Sequence, residues 1–367
     1  MKIMVIFGTR PEAIKMCPVI KELKKQGEIE CKVCLTGQHK EMLLQVMNLF
    51  KIEADYNLEI MRKNQTLSMI LINIMQNLDE IMEREKPDLV LVHGDTSSSF
   101  AAGLSAFYHG IPIGHVEAGL RTYNMKSPYP EEFNRQAVDL ITDLYFAPTK
   151  LARQQLIREG KKRENVFVTG NTVIDALKTT VRKDYQNEIF DWCSDSRVLL
   201  LTAHRRENVG KPMENIFEAV KKICLNYPDV KVIYPIHKNP EIRKIAKRIF
   251  SDSNQIKVIE PLDVYDFHNF MDKSYFILTD SGGIQEEAPA LGKPVLVLRD
   301  TTERPEGIEA GTLKLVGTEI ESIYQGASKL LEDETTYRKM SNAVNPYGDG
   351  LASKRIANII IDYFKRK

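Results

Sequence analysis

No run of about 20 apolar residues occurs in the 367-residue chain, which argues against a membrane-spanning helix. There is no excess of charge of either sign: 51 basic against 50 acidic side chains leave a formal net charge of +1. A nucleic-acid or membrane surface is therefore not the expected partner. An anionic ligand has to be held by groups placed locally, not by a global field. Cysteines are few and odd in number: Cys17, Cys31, Cys34, Cys193 and Cys224. Cys31 and Cys34 form a C-x-x-C, but within "ECKVCLTG", which reads as a strand where the two face opposite sides of the sheet. Buried structural thiols are expected there, not a redox pair or a zinc site. No H-x-x-x-H or carboxylate spacing suggests a metal. No G-x-G-x-x-G follows the first strand, so a nicotinamide cofactor is unsupported. Neither metal nor cofactor is expected. The opening "MKIMVIFGTRPE" lacks the longer apolar segment and small-residue cleavage site of a secretory signal, so the expected compartment is the cytoplasm.

What is present alternates. "KIMVIFG", "ECKVCLTG", "DLVLVHGD", "IPIGHVEAG" and "LYFAP" read as strands, separated by helical patterns in which Leu67, Ile70, Leu71, Ile74, Leu78 and Ile81 recur at helical spacing. A connector is expected over "DYQNEIFDWCSDS", after which the pattern restarts with "RVLLLTAHRREN", "VKVIYPIH", "QIKVIEP", "SYFILTDSGG" and "KPVLVLRD". The expected fold class is α/β: two Rossmann-like, doubly wound domains facing a cleft, with ligands outside the carboxyl ends of the strands. The expected domains span residues 1–168 and 169–349. Residues 350–367 form a terminal amphipathic helix, with Ile356, Ile359, Ile360 and Tyr363 on one stripe, packed back on the first domain.

The stretch "SGGIQEE" raises the question of chemistry. Asp280 ends a strand, Ser281 is a natural N-cap, and Gly282 and Gly283 expose amides at a helix start, a ready phosphate site. Glu287, one turn later, is placed to accept hydrogen bonds from ribose hydroxyls. The plain alternative, acidic residues favouring a helix dipole, is as good for this stretch alone. Other strand ends tip the balance. "GTRPEAIK" supplies Arg10 and Lys15, "HGDTSSSF" supplies Asp95, and "VEAGLRT" supplies Glu117. "SPYPEEFNR" places Glu131 in a first helical turn after Pro130, which suits the N1 position. "TAHRREN" supplies His204 with Arg205 and Arg206; His93, His115, His237 and His268 read as structural or binding residues. The ligand these residues suggest is a nucleoside phosphate.

"FGTRPEAIK", "HGDT", "EAGLRT", "SPYPEE", "TGNTVIDA", "TAHRREN", "TDSGGIQEEAPALGKPVLVLRDTTERPE" and "NPYGDG" together resemble the non-hydrolysing UDP-N-acetylglucosamine 2-epimerases, in order from residue 3 to about 350. The resemblance implies a GT-B-type fold and an isomerase that interconverts UDP-N-acetylglucosamine and UDP-N-acetylmannosamine for bacterial cell-surface polysaccharide. It implies elimination of UDP to a 2-acetamidoglucal followed by re-addition. Asp95, Glu117 and Glu131 match the carboxylates of that step, base and acid unassigned, and coupling among them is expected to raise at least one pKa. Lys15 and His204 match catalytic positions near the diphosphate. Arg10, Phe267, Ser281, Gly282, Gly283, Glu287 and Arg304 match UDP-binding positions, with Phe267 alongside the uracil; Leu262 replaces a common glutamine. A homodimer acting on a small-molecule substrate is the family expectation.

Three competing readings are open at this point. A GT-B glycosyltransferase would need one general base, a hydrolysing epimerase would release free N-acetylmannosamine, and a UDP-sugar sensor would need no carboxylates. Gln38, His39 and Gln65 also match an effector site that some bacterial family members have for a second UDP-N-acetylglucosamine. Glu41 and Asn64 depart from that site, which implies that the effector is not strictly required.

Overall fold

The computed structural model describes residues 1–37, 40–62 and 65–366. The chain divides into two compact units, Met1–Thr179 with Tyr347–Lys367, and Thr180–Pro346.

In the first unit the described residues form a seven-stranded, wholly parallel sheet. Its strands are β1 (Lys2–Phe7), β2 (Glu30–Leu35), β3 (Tyr56–Asn57), β4 (Leu89–His93), β5 (Ile113–Val116), β6 (Leu144–Ala147) and β7 (Val166–Val168), in the order β3-β2-β1-β4-β5-β6-β7. Helices cover both faces, so the central strands read as unbroken apolar runs; all of β4 is buried. The helix Leu67–Glu85 shows how the pattern folds. Thr66 Oγ1 accepts the Met69 N–H at 3.2 Å, and Ile70, Ile74, Leu78 and Ile81 face inward against the helix Ser97–Tyr108. Lys86, in left-handed backbone with φ 46°, ends the helix. Each of these buried branched side chains contributes roughly 1.5–3 kcal/mol.

The last helix, Ala352–Arg366, belongs to this first unit and packs against the helix Arg10–Lys24. Its first amides, those of Ala352 (3.2 Å) and Ser353 (2.9 Å), donate to the carboxylate of Asp175 in the helix Thr172–Thr180. This keeps that helix with the first unit, so the divide falls at Thr179–Thr180 and not at 168–169.

The second unit carries, among its described residues, six parallel strands: β8 (Arg197–Thr202), β9 (Val230–Pro235), β10 (Ile256–Ile259), β11 (Phe276–Thr279), β12 (Val295–Val297) and β13 (Leu313–Leu315). Their order is β10-β9-β8-β11-β12-β13. Phe217, Tyr234 and Phe250 pack edge-on and tilted within its core. The stretch expected as a bare connector contains a short helix, Glu188–Trp192, because Asn187 Oδ1 caps the Ile189 N–H at 3.0 Å.

Strand order reverses between β1 and β4 in the first sheet and between β8 and β11 in the second. The carboxyl ends flanking such a reversal are where doubly wound sheets bind ligands. Cys31 and Cys34 sit in β2 as free thiols, three residues apart in a strand and so on opposite faces.

Candidate active site

At the first reversal β1 turns through Gly8 and Thr9 into the helix that begins at Arg10. A Cβ at Gly8 would stand 1.9 Å from Thr36 Oγ1 and 2.6 Å from Ser98 Oγ, so glycine alone fits. The buried carboxylate of Glu12 holds the turn. Its Oε2 accepts the N–H groups of Gly8 (3.0 Å) and Thr9 (2.7 Å), and its Oε1 accepts the hydroxyls of Thr96 (2.7 Å) and Ser99 (2.8 Å). Glu12 thus ties the loop after β1 to the loop after β4. Sequence reasoning missed it, although Thr9-x-x-Glu12 is the capping-box signature.

Asp95 follows β4 and is partly exposed. Arg135 Nη2 donates to its carboxylate, and Asn134 Nδ2 donates to its backbone carbonyl at 2.9 Å. Both partners lie on the helix Glu131–Ile141. Glu131 opens that helix one turn before Arg135, on the same face. Pro130 is the N-cap, not the N1 residue, because Glu131 is the first residue with helical pairing. The neighbouring Glu132 is turned inward: it accepts the N–H groups of Thr122 (3.0 Å) and Tyr123 (2.9 Å) and the Gln136 amide (2.7 Å).

Glu117 follows β5 in left-handed backbone, φ 67°, a conformation that costs a non-glycine residue about 1–3 kcal/mol and is typical of functional positions. Lys15 Nζ and Asn171 Nδ2 (2.9 Å) donate to its Oε2, and His93 Nε2 stands 3.7 Å from the same oxygen. Its Oε1 lies 3.8 Å from where a Cβ on Gly94 would be, which puts the carboxylate against the residue preceding Asp95. Burial pushes the Glu117 carboxyl up, but Lys15 and then His93 outweigh it and hold it well below the usual carboxylate range. An upward shift is expected of at least one of the three carboxylates; Glu117 is not that one, because its nearest charges are cationic.

At the second reversal Asp280, fully buried, accepts through Oδ2 the N–H groups of His204 (2.9 Å) and Arg205 (2.8 Å) and the Asn208 amide (3.0 Å). Its Oδ1 is 3.6 Å from His204 Nδ1. The His204 ring stacks on His237 with centroids 5.6 Å apart. Burial lowers the His204 pKa, Asp280 opposes it, and His237 and Arg205 lower it further, so the ring is neutral at neutral pH.

Ser281 is not the N-cap. Its N–H donates to Thr279 Oγ1 at 2.9 Å while the chain is still turning, and the helix begins later, at Ile284, behind Gly283. That helix ends at Ala290 and contains Pro289, so its dipole is that of barely two turns and anion attraction falls on side chains. A Cβ on Gly282 would lie 3.5 Å from Arg205 Nη2 and 3.9 Å from Arg304 Nη2: two guanidiniums converge on this glycine. Arg304 is aimed by Glu286, which takes its Nε. Arg205 was read only as a cationic neighbour in the sequence and is the residue most underestimated there. Glu287 Oε1 curls back to 3.4 Å from the Cβ position of Gly283, and its Oε2 is 3.3 Å from His268 Nε2, whose Nδ1 meets Thr180 Oγ1 at 2.7 Å. Phe267, partly exposed, precedes His268 on the helix Val264–Lys273, and Leu262 lies just before that helix.

Gln38, His39, Asn64 and the side chain of Glu41 lie outside the described residues. Gln65 braces its own loop, donating to Ile60 O (2.9 Å) and accepting from Arg62 N (2.7 Å).

A family model described as UDP-N-acetylglucosamine 2-epimerase matches residues 21–361. The UDP-N-acetylglucosamine 2-epimerase of Bacillus subtilis is 57% identical over 364 residues, covering 99% of this chain and 96% of its own. Among solved structures, UDP-GlcNAc 2-epimerase from Neisseria meningitidis bound to UDP-GlcNAc aligns with TM-score 0.88 and 49% identity, over 99% of this chain and 100% of that one. The S. aureus MnaA–UDP co-structure aligns with TM-score 0.90 and 55% identity, over 99% and 97%. The two-Rossmann, GT-B-type architecture is common to them and to this chain. Matched across most of its length by the family model and end to end by these relatives, the chain belongs to the UDP-N-acetylglucosamine 2-epimerase family.

Proposed function

We propose that the protein interconverts UDP-N-acetylglucosamine and UDP-N-acetylmannosamine by inverting C2 of the sugar, without hydrolysis. The observation that carries this reading is Glu117: an ionised carboxylate, fixed by Lys15 in left-handed backbone, against the residue that precedes Asp95. Epimerisation at C2 needs a proton taken from one face and returned on the other. A carboxylate held far below its ordinary range is a poor resting acid, so the proton donor is Asp95 or Glu131, and Glu117 accepts a proton or opposes positive charge.

In the proposed path the C2 proton passes to a carboxylate, and the C1–O bond to UDP breaks with its electron pair. The products are UDP and a 2-acetamidoglucal. UDP then adds back to C1 while C2 takes a proton on its other face. The second unit binds UDP: Arg205 and Arg304 take the diphosphate at Gly282, Glu287 the ribose, and Phe267 lies along the uracil. Neutral His204 donates a hydrogen bond as charge develops on the departing diphosphate. The liganded states of the Neisseria and S. aureus relatives support this ligand class. The product serves cell-surface polysaccharide.

Turnover in heavy water tests the reading. Deuterium at C2 of the product, with no free sugar released, is expected. Epimer that keeps its C2 proton would rule out elimination, and free N-acetylmannosamine would mean hydrolysis instead.

A further inference from the structure

His115 lies in β5, two residues before Glu117, with 0% exposure. Its Nδ1 is 2.7 Å from Asp139 Oδ1 and its Nε2 is 2.7 Å from the carbonyl oxygen of Gly94. Burial opposes ionisation of Asp139, but His115 and then Arg121 hold its pKa below the ordinary value, so it is a carboxylate and has no proton to give. The Gly94 carbonyl has none either. Both ring nitrogens of His115 therefore stand at hydrogen-bonding distance from an acceptor, and the ring bridges Asp139 to the Gly94 carbonyl.

Buried charges persist only when paired and hydrogen-bonded, and here the pairing is complete. Asp139 Oδ2 accepts from Arg121 Nη2 at 2.7 Å, and the same guanidinium forks onto Glu159 at 2.7 and 2.7 Å. The Tyr145 hydroxyl donates to the Asp139 carbonyl at 2.9 Å. Lys161 and Asp143 are the other charged groups of this neighbourhood. His93 and Glu117 follow on the ends of β4 and β5 themselves.

What the arrangement grips is the carbonyl of Gly94, the peptide that leads into Asp95. Gly94 has φ 64° and no side chain, so nothing of its own fixes that peptide. The next carbonyl, that of Asp95, is held by Asn134. Asn134, Arg135 and Asp139 all project from the helix that Glu131 opens. One helix therefore sets Asp95 three times: through its carboxylate, through its carbonyl, and through His115 on the peptide before it.

We infer that His115 is a positioning residue for the epimerase reaction: by bridging Asp139 to the carbonyl of Gly94 it fixes Asp95 in the same frame as Glu117 and Glu131. The role rests on the reading proposed above. His115→Asn keeps a donor for Asp139 but is too short to reach Gly94. It is expected to lower kcat by about 10²-fold, the scale of an ångström's misplacement, while KM and UDP affinity stay near native. A cooperatively folded His115→Asn protein with native kcat, or one that loses UDP affinity in step with kcat, overturns the role. Nitrogen NMR of the histidine-labelled wild type tests the bridge without any variant. Both His115 nitrogens are expected to show hydrogen-bonded shifts, and a nitrogen without a hydrogen bond overturns the inference. A wild type that folds and shows both hydrogen bonds of the ring but does not epimerise would sink the functional reading and with it the role, leaving the bridge as architecture.

Discussion

Glu12 in the first unit and Asp280 in the second hold the loops of their switch points from opposite sides. Each is a buried carboxylate that accepts two successive backbone N–H groups of the loop after the unit's first strand: Gly8 and Thr9 for one, His204 and Arg205 for the other. Glu12 reaches back from the helix that follows that loop, whereas Asp280 reaches across from the end of β11. The device is shared, but the side chains grouped at the strand ends around it differ. In the first unit these are Asp95, Glu117 and Glu131, with Lys15 among them. In the second they are His204, Arg205 and Arg304, while Asp280 and Glu286 are spent on holding backbone and guanidinium. A doubly wound sheet supplies the position; in the function proposed above, the loops decide whether it becomes acid–base chemistry or anion binding.

The sharpest way to break this division of labour is Glu117→Gln. Loss of a carboxylate that takes part in proton transfer should lower kcat by about 10²–10⁴-fold, with UDP affinity unchanged by calorimetry. An equal fall in both would show that the first unit binds as much as it reacts. Glu287→Ala probes the second unit. Losing two charge-assisted hydrogen bonds to the ribose should weaken UDP binding by about 2–4 kcal/mol in total, and near-native affinity would return this glutamate to its contact with His268. His204→Ala lies between the two roles: kcat should drop by roughly 10²-fold with a smaller change in UDP binding, and an unchanged rate would leave the ring a merely structural partner of Asp280 and His237.

The smallest effect is on stability. The folded pKa of His204 lies below its ordinary value of 6.5. Above that value both folded and unfolded chains carry the neutral ring. As pH falls through it, the unfolded chain takes up the proton first and stability is lost. Wild type should therefore lose thermal stability faster on mild acidification than His204→Gln, and parallel curves would remove the claim. Glu117 works in the same direction but in a lower window. Its depressed pKa contributes stability above the ordinary 4.5 that is lost as pH falls through the folded value, so the two are separable.

The sheets were legible because strands buried on both faces must be apolar throughout, and the helix Leu67–Glu85 because its buried residues repeat at helical spacing. The strand-end carboxylates stood out for the same reason: Asp95 and Glu117 interrupt apolar runs where nothing in folding asks for a charge. The protonation state of Glu117 was not, since it depends on Lys15 and His93, brought beside it from β1's helix and from β4. Ser281 looked like a cap because serine before a helical pattern usually is one; here Thr279 Oγ1 already held its N–H. The acidic cluster around Gly282 hid its own purpose. Of Asp280, Glu286 and Glu287, two turn inward, and only the folded chain shows which.

The terminal helix has a consequence for how the molecule is made. Ala352–Arg366 packs on the helix Arg10–Lys24, and Asp175 waits for the amides of Ala352 and Ser353. Nascent chains generally complete their domains from the N-terminus onward. Here the order inverts: Thr180–Pro346 is a whole unit before the segment from Tyr347 has been translated. A chain released short of Tyr347 would hold the whole of the second unit and, upstream of it, a first unit still missing one of its walls.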